Sequence, residues 1–231
     1  MTRFGLPLAF GVSACAAATG RPTTTESAVA LVASAIAGWL GIRGEFAREC
    51  AQGAAYGDEE RFPLKVPPPL VVSILPIAIA IFGLVVGVGP LLLADGRWIA
   101  GSVVLGLGIP ACLVIVRSVH RLSRRWVVLV PAGLVIADPL TLTDPVLFPR
   151  AHIMGLGPAD PTRKPPENAC DLRLGAAYGS CALLLDEETD IMRRVRGRGM
   201  GVQTNLLLVA PTAAPLLLER ARARRIHVRT D

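Results

Sequence analysis

Lysine is nearly missing from this chain of 231 residues, which carries 22 arginines against only Lys65 and Lys164. This points first to the coding bias of a GC-rich genome. The five cysteines form no Cys-x-x-Cys pair and no ligand spacing with the three histidines, so neither a zinc site nor a disulfide framework is legible. A nucleophile elbow, a zinc-protease helix and a P-loop are also missing, and with them any signature for a reaction or a cofactor. The absence that matters most is of charge. No charged side chain lies between Val66 and Ala94, or between Trp98 and Val116.

At about 1.5 Å per helical residue, the first run exceeds the roughly 30 Å of a hydrocarbon core, and the second crosses it once. Only Ala94 to Arg97 separate them, so residues 70–116 read as a transmembrane hairpin. Trp98 stands where an amphipathic ring favours the interface. Pro76, Pro90 and Pro110 are compatible with spanning helices. With no ionisable side chain other than Cys112, the spans argue against a proton relay or ion path. Gly83 and Gly87 have the G-x-x-x-G spacing of close helix packing; the first partner expected is the second span, with Gly101, Gly106 and Gly108, and the other is a second copy of the chain.

A net charge of +6, a mean hydropathy of +0.51 and a pI near 9.5 then acquire a topological meaning. Arg117, His120, Arg121, Arg124 and Arg125 follow the second span, whereas the turn carries Arg97 alone. The positive-inside rule therefore places both hairpin ends in the cytoplasm. Arg121, Arg124 and Arg125 become candidates for anionic lipid head groups, and no nucleic-acid partner is expected.

Residues 1–22 read as a signal-like or disordered segment. Val12, Ser13, Ala14 and Cys15 resemble a bacterial lipoprotein box, which makes Cys15 a possible lipidation site. Thr23 and Glu26 have capping-box spacing, and Val29, Val32, Ile36 and Trp39 recur on one face, so residues 23–52 are expected to form an amphipathic or short membrane helix. Two spans are favoured over three, since Ser27 to Ile42 is short for a crossing. Residues 53–69, with Asp58, Glu59, Glu60 and the prolines 67 to 69, read as a linker.

From Trp126 the pattern changes to strands, at Trp126–Val130, Leu134–Asp138, Leu140–Thr143, Val146–Phe148, His152–Met154, Asp171–Leu174, Cys181–Asp186, Ile191–Val195 and Val202–Val209. Gly155 to Asn168 reads as a long loop. A terminal amphipathic helix capped by Thr212 carries Ala214, Leu217, Leu218 and Ala221. The expected fold class is an α-helical transmembrane hairpin plus a small α+β domain over residues 117–231.

The run from Arg125 and Trp126 through Gly133, Leu134, Val135, Asp138 and Pro139 to Asp144, Pro145, Val146 and Leu147 resembles the opening strands of bacterial membrane proteins with a pleckstrin-homology-like (PH-like) domain. The resemblance covers roughly residues 70–231. It implies a bent barrel of about seven strands, capped by the C-terminal helix and used for binding rather than catalysis.

Among polar candidates, Arg193, Arg194, Arg196 and Arg198 surround a flexible Gly197, Gly199, Gly201 stretch and form the best expected lipid- or partner-binding tip. Alternating Arg and Gly there fit a hairpin tip better than a dinucleotide loop. His152 is the one candidate acid or base, in an apolar strand where a structural role is also natural. Asp186, Glu187, Glu188 and Asp190 suit a solvated turn rather than a metal site. Three functions stay open: a membrane-anchored interaction module that binds anionic lipid or a protein, an accessory subunit of a transporter or envelope-synthesis complex, and a membrane enzyme with a site around His152, Cys170 and Cys181.

Overall fold

The computed structural model describes Val32, Ile36, Arg48, Glu49 and residues 51–53, 55–195 and 197–229. Cys15, the Thr23–Glu26 capping box, most of the 23–52 helix and Arg196 lie outside the described residues. The chain divides into two compact units. The first contains residues 69–120, and the second joins Arg48–Pro68 to Arg121–Asp231.

In the first unit, α1 (Pro68–Gly83), a π-helical segment (Leu84–Val88) and α2 (Gly89–Ala94) run on as one apolar helix of 27 residues. The π turn has a local cause. Pro90 has no N–H and its ring crowds the carbonyl one turn back; the backbone widens, and Gly89 N–H bonds to Leu84 O, five residues earlier. The helix ends in a Schellman motif, with Gly96 at φ +75° and bonds from Gly96 N to Leu93 O and from Arg97 N to Leu92 O. α3 (Trp98–Leu122) follows for 25 residues. Both helices are long and apolar enough to cross a membrane. Ser73 and Ser118 donate their hydroxyls to carbonyls four residues back, at 2.6 and 2.8 Å, so neither polar group is left bare.

Glycines set the spacing of the hairpin. A Cβ at Gly101 would come within 2.6 Å of Leu93 Cδ2, one at Gly89 within 2.6 Å of Leu105 Cδ2, and one at Gly108 would strike Val85. Packing inside the hairpin thus uses Gly101 and Gly108 as expected. Gly83 is buried, but a Cβ at Gly87 or Gly106 would meet nothing within 4 Å among the described residues. The G-x-x-x-G pair is therefore split between a packed glycine and an open one.

The second unit holds two four-stranded sheets. β1 (Glu60–Pro63), β2 (Trp126–Val130), β3 (Gly133–Ala137) and β4 (Val146–Pro149) form an antiparallel sheet in that order. The other sheet has the order β5-β7-β8-β6, from β5 (Ile153–Pro158), β6 (Ala169–Asp171), β7 (Cys181–Val195) and β8 (Arg198–Val209), with β6 parallel to β8. Phe62, Leu129, Ile136 and Phe148 from the first sheet and Leu156, Leu183, Ile191 and Leu207 from the second share one core. α4 (Ala214–Ala223) adds Leu217 and Ala221 to it.

Several expectations change. Glu60–Pro63, read as linker, is a strand whose residues pair with Leu129 back to Trp126. The small domain is α+β, but its strands stay in two sheets and close no barrel among the described residues. Leu140–Thr143 is a turn rather than a strand, because Asp138 draws Leu140 N and the Thr141 hydroxyl onto its own carboxylate. Asp186 to Asp190 lie within one long strand, β7, with a register shift between Leu184 and Thr189, rather than in a turn. Thr212 caps nothing: Ala213 occupies the N-cap, and Thr212 Oγ1 is buried without a partner.

Candidate functional site

The basic residues after the second candidate span separate by burial. Arg121 and Arg124 are exposed, whereas Arg125 is 2% exposed. Its guanidinium grips Asp138 with two bonds of 2.8 Å and donates to Lys65 O at 3.0 Å and Leu172 O at 3.1 Å. Asp138 also accepts from Thr141 Oγ1 and Leu140 N. Arg125 is therefore a clasp across four chain segments and is not available to lipid. A planar, permanently charged fork can make this set of bonds; a lysine cannot.

The arginine tip is divided as well. Val195 pairs with Arg198 across a tight turn with Gly197 at φ +83°, so the β7–β8 hairpin ends as expected. Alternation along β7 sends Arg193 and Arg194 to opposite faces. Arg193 is half-buried and donates to Asp171 O at 3.3 Å, while Arg198 is exposed. Exposed Met192, Val195 and Met200 accompany them. Gly199 and Gly201 stand beside Met192, whose Cε would lie 3.1 Å from a Cβ at Gly199, so this glycine run makes room for a methionine.

His152 sits in a short 3-10 turn (Arg150–His152) rather than in a strand, and its Nδ1 lies 3.2 Å from Asp186 Oδ2 at the surface. Cys170 and Cys181 are fully buried and free. Burial pushes the Cys181 thiol up to about 12, against a small opposing pull from Lys65, and burial raises the Cys170 thiol too. Neither supplies a thiolate near neutral pH. The pair was grouped with His152 by sequence, but His152 is exposed while both thiols are sealed in the core. Burial also pushes the Asp171 carboxyl up, yet the hydrogen bonds and charge of Arg173, with the charge of Arg193, outweigh it and hold the group below its usual range.

Concavities lined by described residues open on this unit. One, of about 340 Å³, is lined by Arg48, Glu49, Glu60, Arg61 and Arg220, whose charges are already matched in the pairs Arg48–Glu49, Arg61–Glu59 and Arg220–Glu60. Another, of about 710 Å³, lies on the outer face of the second sheet. Its floor is Ala182, Leu184, Leu206 and Leu208, and its rim holds Arg163, Lys164 and Arg229. None of these three cations has an ion-pair partner among the described residues.

This groove went unseen in the sequence because Gly155–Asn168 read only as loop. A signal existed. The runs Ala182–Leu185 and Leu206–Val209 are apolar on both faces, whereas a solvated antiparallel strand alternates. No protein-family model matches the chain, and no curated protein or solved structure is similar to it.

Proposed function

We propose that this protein is a membrane-anchored, non-enzymatic interaction module at the cytoplasmic face of a bacterial cell membrane. Its domain is PH-like in style, a reading supported by two four-stranded sheets and a C-terminal helix, and it binds anionic lipid or a protein partner. One observation carries the reading. β1 precedes the hairpin, β2 follows it, and Pro63 pairs with Trp126. A chain that leaves a sheet at Pro63 and re-enters beside it at Trp126 makes an even number of crossings, which fits two spans. The domain is thus tied to the bilayer at two points, so weak contacts act at high local concentration.

Arg121, Arg124, Arg194 and Arg198 are the lipid-contacting candidates in this reading, each worth about 1 kcal/mol near an anionic leaflet. The accessory-subunit reading has its own support in Gly87 and Gly106, which meet no neighbour among the described residues of the apolar helices.

Orientation is tested with single cysteines at Arg97 in the turn and at exposed Tyr178 in the domain. An impermeant maleimide added to intact cells is expected to label Arg97→Cys, and to reach Tyr178→Cys only after permeabilisation. The reverse pattern overturns the cytoplasmic placement. Native Cys170 and Cys181 cannot serve, because buried thiols stay silent on either side. Lipid contact is tested on the full chain, since a fragment starting at Ser118 lacks β1. Amide exchange around Arg198 is expected to slow in phosphatidylglycerol nanodiscs relative to phosphatidylcholine, and less so at high salt. Identical exchange in both lipids leaves a protein as the partner.

A further inference from the structure

The outer-face groove of the second sheet has a composition that asks for a ligand of two parts. A sheet face open to water normally carries polar side chains, but the cross-strand pairs Ala182–Leu208 and Leu184–Leu206 pave this one with hydrocarbon. Above the floor, Pro165 and Pro166 form a wall. Around it stand three exposed cations and one carboxylate, Asp160, which accepts from Thr162 N at 2.8 Å and Thr162 Oγ1 at 2.6 Å and is also drawn by the backbone N–H and the charge of Arg163, so it offsets one of the three cations. The rim therefore presents net positive charge to whatever lies on the floor.

Arg229 is placed there by the fold. The C-terminal segment docks along β5 through Leu156 N to His227 O and Arg229 N to Leu156 O, both 2.9 Å. A Cβ at Gly155 would approach Arg229 Cδ to 2.9 Å, and one at Gly157 would approach Arg229 Cβ to 2.9 Å. Bare glycine backbone is what lets the arginine stem lie across the strand.

The same docking decides against a peptide that adds a strand. Val228 bridges to Leu156 along β5, so main-chain pairing is taken at that edge, and the opposite edge strand, β6, is only three residues long. What remains open is the face. At about 710 Å³ it falls in the size range of small-molecule sites, about 300–1,000 Å³.

We propose that this groove binds a single-chain anionic amphiphile, such as a fatty acid or a lysophospholipid. The acyl chain lies on the leucine floor, and the carboxylate or phosphate head meets the three cations. The site is separate from the arginine tip and does not depend on its lipid contacts.

The test uses the full chain in phosphatidylcholine nanodiscs and a photoactivatable diazirine palmitate, with crosslinked peptides mapped by mass spectrometry. Crosslinks are expected on the Cys181–Leu185 and Leu206–Val209 strands, with competition by unlabelled palmitate. The variant Arg163→Ala, Lys164→Ala, Arg229→Ala is expected to lose about tenfold of this labelling, since exposed charge contacts are individually weak. Its melting temperature should stay unchanged, as all three side chains are exposed. The matching diazirine alcohol, which lacks the charge, should label weakly, and Leu184→Gln should weaken capture of the acid. Equal labelling by acid and alcohol, or by wild type and triple variant, overturns the proposal. So do crosslinks confined to residues 70–116, competition by inorganic phosphate as strong as by palmitate, and displacement by an acidic peptide but not by palmitate. Loss of lipid dependence at Arg198 leaves this site standing, so the two readings fail separately.

Discussion

The apolar helices and the two-sheet domain solve opposite problems with the same residue types. Val72, Ile99 and Leu107 on the helices turn outward, all more than 70% exposed, while Val127, Leu183 and Leu207 of the domain are fully buried. In a helix the backbone groups pair mostly along their own segment, so hydrocarbon can face outward at little hydrogen-bonding cost if the surroundings are lipid. A strand has to find its partners elsewhere in the chain. In the domain, polar groups are therefore allowed inside only where they are fully paired, as at Arg125 and Asp138. Close packing in the hairpin rests on missing side chains, and in the domain on interlocking ones.

The comparison breaks hardest at the clasp. Asp138→Ala is expected to destabilise the domain by about 3–5 kcal/mol, because it leaves a buried guanidinium uncompensated. The double variant Arg125→Met, Asp138→Leu is expected to recover most of that loss. Thermal unfolding in nanodiscs followed by tryptophan fluorescence checks both, and a double variant as unstable as the single one contradicts the account. Glycine substitutions sharpen the contrast at the next level. Gly133→Ala drives a Cβ into the Phe148 carbonyl and towards Arg150 N at 2.8 Å, backbone atoms that cannot step aside, for a loss of about 1–3 kcal/mol or more. Gly87→Ala, at a position with no neighbour among the described residues, is expected to stay within about 0.5 kcal/mol, and a larger loss would show that this helix face is covered.

Acid should separate the two regions too. The helices hold no carboxylate between Val66 and Ala94, whereas Asp171 in the domain has a lowered pKa through Arg173. A depressed carboxylate pKa contributes stability above the unfolded value of about 3.9 and loses it as pH falls through the lower folded value. Asp171→Asn is therefore expected to flatten the stability profile below about pH 4 and leave its shape near neutrality intact, as read from denaturant midpoints across pH. The smallest effect is expected at Thr212. Its hydroxyl is buried without a partner, so Thr212→Val should raise stability by up to about 1 kcal/mol.

Local pattern was enough to locate the elements whose partners are close in the chain. The charge-free runs and the Asp95–Gly96 turn define the helical hairpin. Trp126 to Ala137 defines a β-hairpin around Pro131 and Ala132, and Leu217 with Ala221 defines the buried stripe of α4. Each depends on periodicity or turn chemistry within about a dozen residues. Tertiary structure alone decided the rest. Glu60–Pro63 becomes a strand because its partner arrives more than 60 residues later, and the four residues Glu60, Arg61, Phe62 and Pro63 are too short a run to announce it locally. Arg125 is chemically identical to Arg121 and Arg124, and only the placement of Asp138, Lys65 O and Leu172 O makes it a buried clasp rather than a surface cation. The groove has the same origin. Arg163, Lys164 and Arg229 lie more than 60 residues apart at the extremes, and they surround one apolar floor because β5 receives the C-terminal segment and the loop before β6 overhangs the sheet. Composition and period determine where chain is apolar, whereas which charges end up buried, paired or free depends on neighbours that only the folded topology supplies.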